Sequence, residues 1–98
     1  MLCYEVTLRV RADLMAAWEA YIPGHVDDVM ATGCFESAAI DRGGEGEYRC
    51  HYVAASQAML DRYFEEFAPA LRADVSGRFP EGVDSSRAVW TEWRTFER

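Results

Sequence analysis

The chain has 98 residues and a formal net charge of −7; half of it is apolar and 13% is aromatic. That suits one compact domain over residues 1–98 with a modest core. The acidic balance argues against a nucleic-acid partner, which would need clustered Lys and Arg to displace phosphate counterions. No apolar run nears the ~20 residues that span a bilayer, and the N-terminus lacks the basic-then-apolar pattern of a signal peptide. A cytoplasmic protein with no membrane partner is expected. Cys3, Cys34 and Cys50 fit free thiols in a reducing compartment. All ten basic residues are Arg, as the codon bias of a GC-rich bacterial genome would give.

In chain order, Leu2 to Val10 alternates: Leu2, Tyr4, Val6, Leu8 and Val10 point one way, and Cys3, Glu5, Thr7 and Arg9 the other. That is a strand with one face on a core. Asp13 is a candidate N-cap for a helical run carried by Leu14, Trp18, Ile22, Val26 and Val29. Pro23-Gly24 predicts a kink or two short helices in series, ending at Gly33. Cys34 to Arg42 reads as a second strand. Gly43-Gly44-Glu45-Gly46 reads as a hairpin turn; with no Lys and no following helix it is no phosphate loop. Glu47 to Ala55 is a third strand, with Tyr48, Cys50, Tyr52 and Ala54 on one face. Ser56 caps a second helical run whose stripe is Leu60, Phe64, Phe67, Leu71 and Val75, and Pro69 splits that run in two. Phe79 to Gly82 closes it, and Ser86 to Phe96 is the last strand, with Trp90 and Trp93 on opposite faces.

The order β-α-β-β-α-β predicts an α+β, ferredoxin-like fold: a four-stranded antiparallel sheet, strands 1 and 3 central, both kinked helices on one face. The uncovered face then carries Glu5, Thr7, Arg49 and His51. The faces of strands 2 and 4 stay open, because both are compositionally mixed.

Several segments recur in the order of one known family: Tyr4-Glu5-Val6-Thr7-Leu8, His25 to Phe35, His51-Tyr52 after the Gly-rich hairpin, and Tyr63…Ala68-Pro69-x-Leu71-Arg72…Arg78-Phe79. Over nearly its whole length the chain resembles the small bacterial proteins grouped as domain of unknown function 4286. That family is in turn similar to the dimeric α+β barrel proteins, which include cofactor-free monooxygenases, isomerases and stress proteins without known activity. The resemblance implies a homodimer and no cofactor. It draws attention to His25, inside the longest matching segment, and names no reaction.

The residues themselves offer a short set of candidates. His51 is a candidate general base, with Glu5 and Arg49 to orient it; the plainer reading is a polar face or dimer contact. Trp90 and Trp93 are candidates to bind a flat apolar or aromatic ligand, with His25 beside them. His25 and Asp28 share a helix face, yet no CxxC, HExxH or four-ligand spacing accompanies them, so no metal site is expected. Cys34 falls at a helix C-terminus, the wrong polarity for a reactive thiolate, and no Ser lies in a hydrolase elbow. The expected function is a homodimeric small-molecule-binding or structural domain. One alternative is a cofactor-independent monooxygenase or isomerase with His51 as base; another is a regulatory domain that binds a partner protein.

Overall fold

The computed structural model describes residues 1–98. Its elements are β1 (Leu2–Val10), a 3₁₀ turn (Ala12–Leu14), α1 (Met15–Ala31), β2 (Phe35–Arg42), β3 (Glu47–Ala54), α2 (Gln57–Arg62), a π turn (Tyr63–Phe67), α3 (Ala68–Arg78) and β4 (Val83–Thr91). The sheet order is β2-β3-β1-β4 with every neighbouring pair antiparallel, and the helices pack on one face. This is the ferredoxin-like α+β fold expected from the element order.

Cross-strand register sorts the side chains into two sets, because residues directly opposite one another share a face. Toward the helices run the rows Ile40–Cys50–Val6–Arg87 and Ala38–Tyr52–Tyr4–Val89. Away from them run Ala39–His51–Glu5–Ala88, Asp41–Arg49–Thr7–Ser86 and Ser37–Val53–Cys3–Trp90. Strands 2 and 4 thereby acquire the faces that composition left open. Tyr4 sits among Phe35, Tyr52, Tyr63 and Phe64, with ring centroids 5.0–6.3 Å apart.

Three sequence expectations need correction. Asp13 does not cap α1; its carboxylate takes the Arg11 guanidinium at 2.6 Å, and a 3₁₀ turn leads into the helix. Pro23 does not divide α1, which runs unbroken from Met15 to Ala31. An internal Pro costs ~3 kcal/mol. Trp18, Ile22 and Val29, all buried on either side of Pro23, contribute ~1.5–3 kcal/mol each and outweigh it. The last strand spans Val83–Thr91 rather than Ser86 to Phe96, so Trp93 lies beyond it. The β1–β4 pairing runs to Leu2 opposite Thr91, Glu92 N–H adds one bond to Met1 O, and the chain leaves the sheet there.

Pro69 does divide the second helical run, as its sequence position predicts. It sits in the first turn of α3, and the chain upstream widens into the π turn, where Ala68 N–H bonds Tyr63 O. The widening turns Tyr63 into the core, and Leu60, Tyr63 and Ala68 are buried while Phe64 and Phe67 are half-covered. Ser56 caps α2 by accepting from Met59 N–H at 3.2 Å.

The hairpin approaches β1 closely at Gly46, whose carbonyl accepts from Val10 N–H at 2.7 Å. Gly46 has φ +75°, and a Cβ there would lie 2.5 Å from the Val10 carbonyl oxygen. Gly24, in α1, has nothing within 4 Å of such a Cβ. Gly46→Ala is therefore expected to destabilise by more than the ~1–2 kcal/mol of a left-handed residue, while Gly24→Ala stabilises by roughly 0.5–1 kcal/mol. Urea unfolding midpoints of the two variants check the opposite signs.

Candidate functional site

The sheet separates two polar clusters. On the uncovered face Arg49 donates to Asp41 Oδ2 at 2.9 and 3.0 Å and approaches Glu5 at 4.0 Å. His51 Nε2 lies 3.3 Å from the same Asp41 oxygen. The fold thus brings His51, Glu5 and Arg49 together as their alternation in β1 and β3 implied, and adds Asp41, the β2 neighbour of Arg49. In the single chain this cluster lies in the open. Trp90 is 59% exposed on the same face, in the row of Cys3 and Val53, and Trp93 is 86% exposed beyond β4.

On the other side, between sheet and helices, lies the most enclosed cavity, of about 130 Å³. Tyr4, Val6 and Leu8 of β1 with Cys50 and Tyr52 of β3 form its floor, and Trp18, Ile22 and His25 of α1 with Leu71 and Val75 of α3 its roof. Twelve of the 17 lining residues are hydrophobic. His25 is the one sequence-derived candidate that reaches this cavity; His51, Glu5, Arg49, Trp90 and Trp93 do not line it.

The polar residues of the wall are all donors or neutral. Arg72 and Arg87 line it, and no Asp or Glu does. Neither guanidinium has a carboxylate within salt-bridge distance, whereas Arg9, Arg11, Arg42, Arg49 and Arg62 each do. Arg72 instead donates to Tyr4 Oη at 3.4 Å and lies over the Phe64 ring. Burial pushes the Cys50 thiol up to about 11 and the Tyr63 phenol up to about 12, so neither supplies an anion near neutrality. The two arginines escaped the sequence reading, although signals existed. Arg72 falls one residue after Leu71 in the second stripe, and Arg87 shares the inward set of Val83 and Val89 once the strand's start is known.

His25 is partly buried, stacks on Tyr21 at 5.7 Å and contacts its hydroxyl at 3.3 Å. Tyr21 also donates to Asp74 Oδ2 at 2.6 Å, bridging α1 and α3. Tyr21 and His25 are one helical turn apart, a spacing legible in sequence; Asp74 lies 53 residues from Tyr21 and was not. No three His, Cys, Asp or Glu side chains converge as a metal site would need.

In structure the chain is similar to SnoaB, a cofactor-independent oxygenase from Streptomyces nogalater (TM-score 0.73, 15% identity, covering 99% of this chain and 97% of that one). It is also similar to Rv0793 from Mycobacterium tuberculosis (TM-score 0.69, 16% identity, 98% of each chain). A de novo designed protein with a ferredoxin fold, LFR1 1, gives a TM-score of 0.54 at 20% identity, covering 100% and 96%. At such identities the likeness is one of fold, and a fold carries no chemistry by itself. No curated protein matches the chain in sequence. The model of one family, Domain of unknown function (DUF4286), matches residues 1–93.

Burial holds His25 below its ordinary value of 6.5, against the opposing pull of Asp74 and Asp28. Arg78, stacked over Tyr21, and the cavity's Arg72 and Arg87 are the cations nearby. A histidine depressed in the folded state is protonated first in the unfolded chain, so stability is whole above about pH 6.5 and is lost as pH falls toward the depressed value. Between about pH 7.5 and about pH 5.5, the wild type should lose more unfolding free energy than His25→Gln. Denaturant titrations at the two pH values measure that difference, and His51, common to both proteins, cancels from it.

Proposed function

The chain belongs to the DUF4286 family, and on that premise we propose that it binds a small, single-ring apolar anion in the cavity between sheet and helices, as a homodimer. One observation carries the binding reading: an apolar cavity whose only charged residues of fixed sign are two unpaired arginines, in a chain of net charge −7. Asp74, whose charge reaches His25, does not line the cavity and accepts from Tyr21, so the guanidiniums are the unpaired charges of the wall. The volume sets the size. A 150 Å³ apolar cavity accommodates benzene, and about 130 Å³ fits one ring rather than a fused polycycle.

The dimer reading rests on the uncovered sheet face. Trp90 stands exposed beside a mixed cluster in which Glu5, Arg49, Asp41 and His51 already pair. A two-fold axis through this face would cover Trp90 and present each charge to an opposite one, since an isologous contact offers the same surface twice. In such a dimer Trp93 and Phe96 extend the apolar contact. The His51–Asp41 contact supports a second reading, a cofactor-independent monooxygenase or isomerase with His51 as base under the partner's sheet. Loss of turnover in His51→Ala with folding intact would be its signature.

Two measurements test the main proposal. Benzoate at a hundredfold excess over Kd should stabilise by about 2.7 kcal/mol, a rise of roughly 10 °C or more in Tm. Arg87→Ala should remove the advantage of benzoate over neutral benzyl alcohol. Equal shifts from both compounds in the wild type would refute anion selection. Sedimentation equilibrium should return about twice the 11.1 kDa chain mass for the wild type and the single-chain mass for Trp90→Glu.

A further inference from the structure

Two polar groups in the cavity wall have hydrogen-bonding capacity that the protein leaves unused. Tyr21 has one hydroxyl hydrogen and gives it to Asp74. Its contact with His25 Nδ1 is therefore one in which Nδ1–H donates to the phenolic oxygen. A neutral imidazole with its proton on Nδ1 keeps a bare lone pair on Nε2. Burial favours that neutral form, and His25 lines the cavity. The second group is Trp18, two turns earlier on the same face of α1. It is 1% exposed, lines the same cavity, and its Nε1–H is the one buried side-chain nitrogen or oxygen without a hydrogen-bond partner. Buried donors are nearly always satisfied, so an orphan in a cavity wall marks where a ligand's acceptor belongs.

We propose that the ligand is a hydroxylated acid: a single-ring phenolic or enolic carboxylate whose hydroxyl donates to His25 Nε2 and one of whose oxygens accepts from Trp18 Nε1–H. This rests on the binding reading above and narrows it. An apolar ring alone would fill the cavity and leave both groups unpaired. A plain carboxylate would satisfy Trp18 or a guanidinium but offer His25 nothing, because Nε2 accepts and a carboxylate has no hydrogen to give. Tyr21 and Asp74 touch no ligand in this scheme. They are positioning residues that fix which imidazole nitrogen carries the proton.

The test compares benzoate with the three hydroxybenzoate isomers by titration calorimetry on the full chain. The best isomer should bind roughly tenfold tighter than benzoate, the scale of one buried hydrogen bond. His25→Phe, which keeps a ring against Tyr21, should erase that preference, so that benzoate and the three isomers bind the variant with equal affinity. Tyr21→Phe should weaken it, because Nδ1–H then loses its acceptor. Two measurements on proteins with the cavity intact remain informative if a cavity variant fails to fold. Imidazole nitrogen shifts should show His25 unprotonated at Nε2 in the free protein. One indole N–H, assigned to Trp18 by elimination in Trp90→Phe and Trp93→Phe, should shift and exchange more slowly when the isomer binds. Equal affinities for benzoate and every isomer, a preference that survives His25→Phe, or an Nε2-protonated His25 would overturn the inference and leave anion binding standing. No binding of any of the four acids would overturn the binding reading and this inference with it.

Discussion

Pro69 has no amide hydrogen to offer the carbonyl of Glu65, and the helical layer is arranged around that deficit. An α-helix continued from Leu60 would place Phe64, Phe67, Leu71 and Val75 in one stripe. The π turn inserts an extra residue into that rise, so Tyr63 and Ala68 take the inward positions and α3 starts afresh with Pro69 in its first turn. Everything α3 contributes depends on that new start. Leu71 and Val75 roof the cavity, Arg72 reaches Tyr4, and Asp74 meets Tyr21 of α1. A π turn is a costly device for a helix that only has to cover a sheet. Here it lets one helical run bury aromatic rings at its start and present a cation to a cavity further along.

The opposite wall follows from β4 being an edge strand. Central strands β1 and β3 are apolar toward the helices without exception, because both neighbours and the roof exclude water there. β4 has a neighbour on one side only, and its inward set mixes Val83 and Val89 with Ser85 and Arg87. A guanidinium is tolerated at that position because Arg87 is exposed there, and an exposed charge keeps its hydration. The cavity is therefore apolar in depth and cationic at its side, an arrangement that the layer geometry produces without any buried charge.

Which features were legible in sequence follows from the range of the forces involved. Strict alternation in β1 and β3 was enough to send Cys50 inward and His51 outward, since a period of two admits no other arrangement once one face is buried. Ser56, Gly33 and the glycine hairpin were equally local, each set by a capping bond or a backbone conformation within a few residues. Pro23 misled because the local penalty was weighed without the tertiary burial of Trp18 and Ile22 that exceeds it. β4 was misplaced because an edge strand at a cavity lacks the alternation by which strands are read. The candidate site divides along the same line. His51, Glu5 and Arg49 share a face for local reasons, whereas Asp41 joins them only through the register of β2 on β3. His25 was visible as a helical histidine, but its tautomer is decided by Asp74, brought to Tyr21 by the packing of α3 on α1.

The sheet thus holds one histidine on each side, and their surroundings direct them differently. His51 sits against a carboxylate that also serves Arg49, so its ring is one member of an ion-pair network that continues to Glu5. Glu5, Asp41 and Arg49 hold one another's charges around it, on the face that the helices leave uncovered. His25 has no carboxylate in direct contact; Tyr21 stands between it and Asp74 and passes on orientation, while burial outweighs the pull of the Asp74 and Asp28 charges. An imidazole held neutral and fixed in one tautomer is a hydrogen-bond acceptor of defined direction. Beside an unpaired indole donor and two unpaired guanidiniums, that direction is what the proposed ligand has to match: a hydrogen for His25 as well as a negative charge for the arginines.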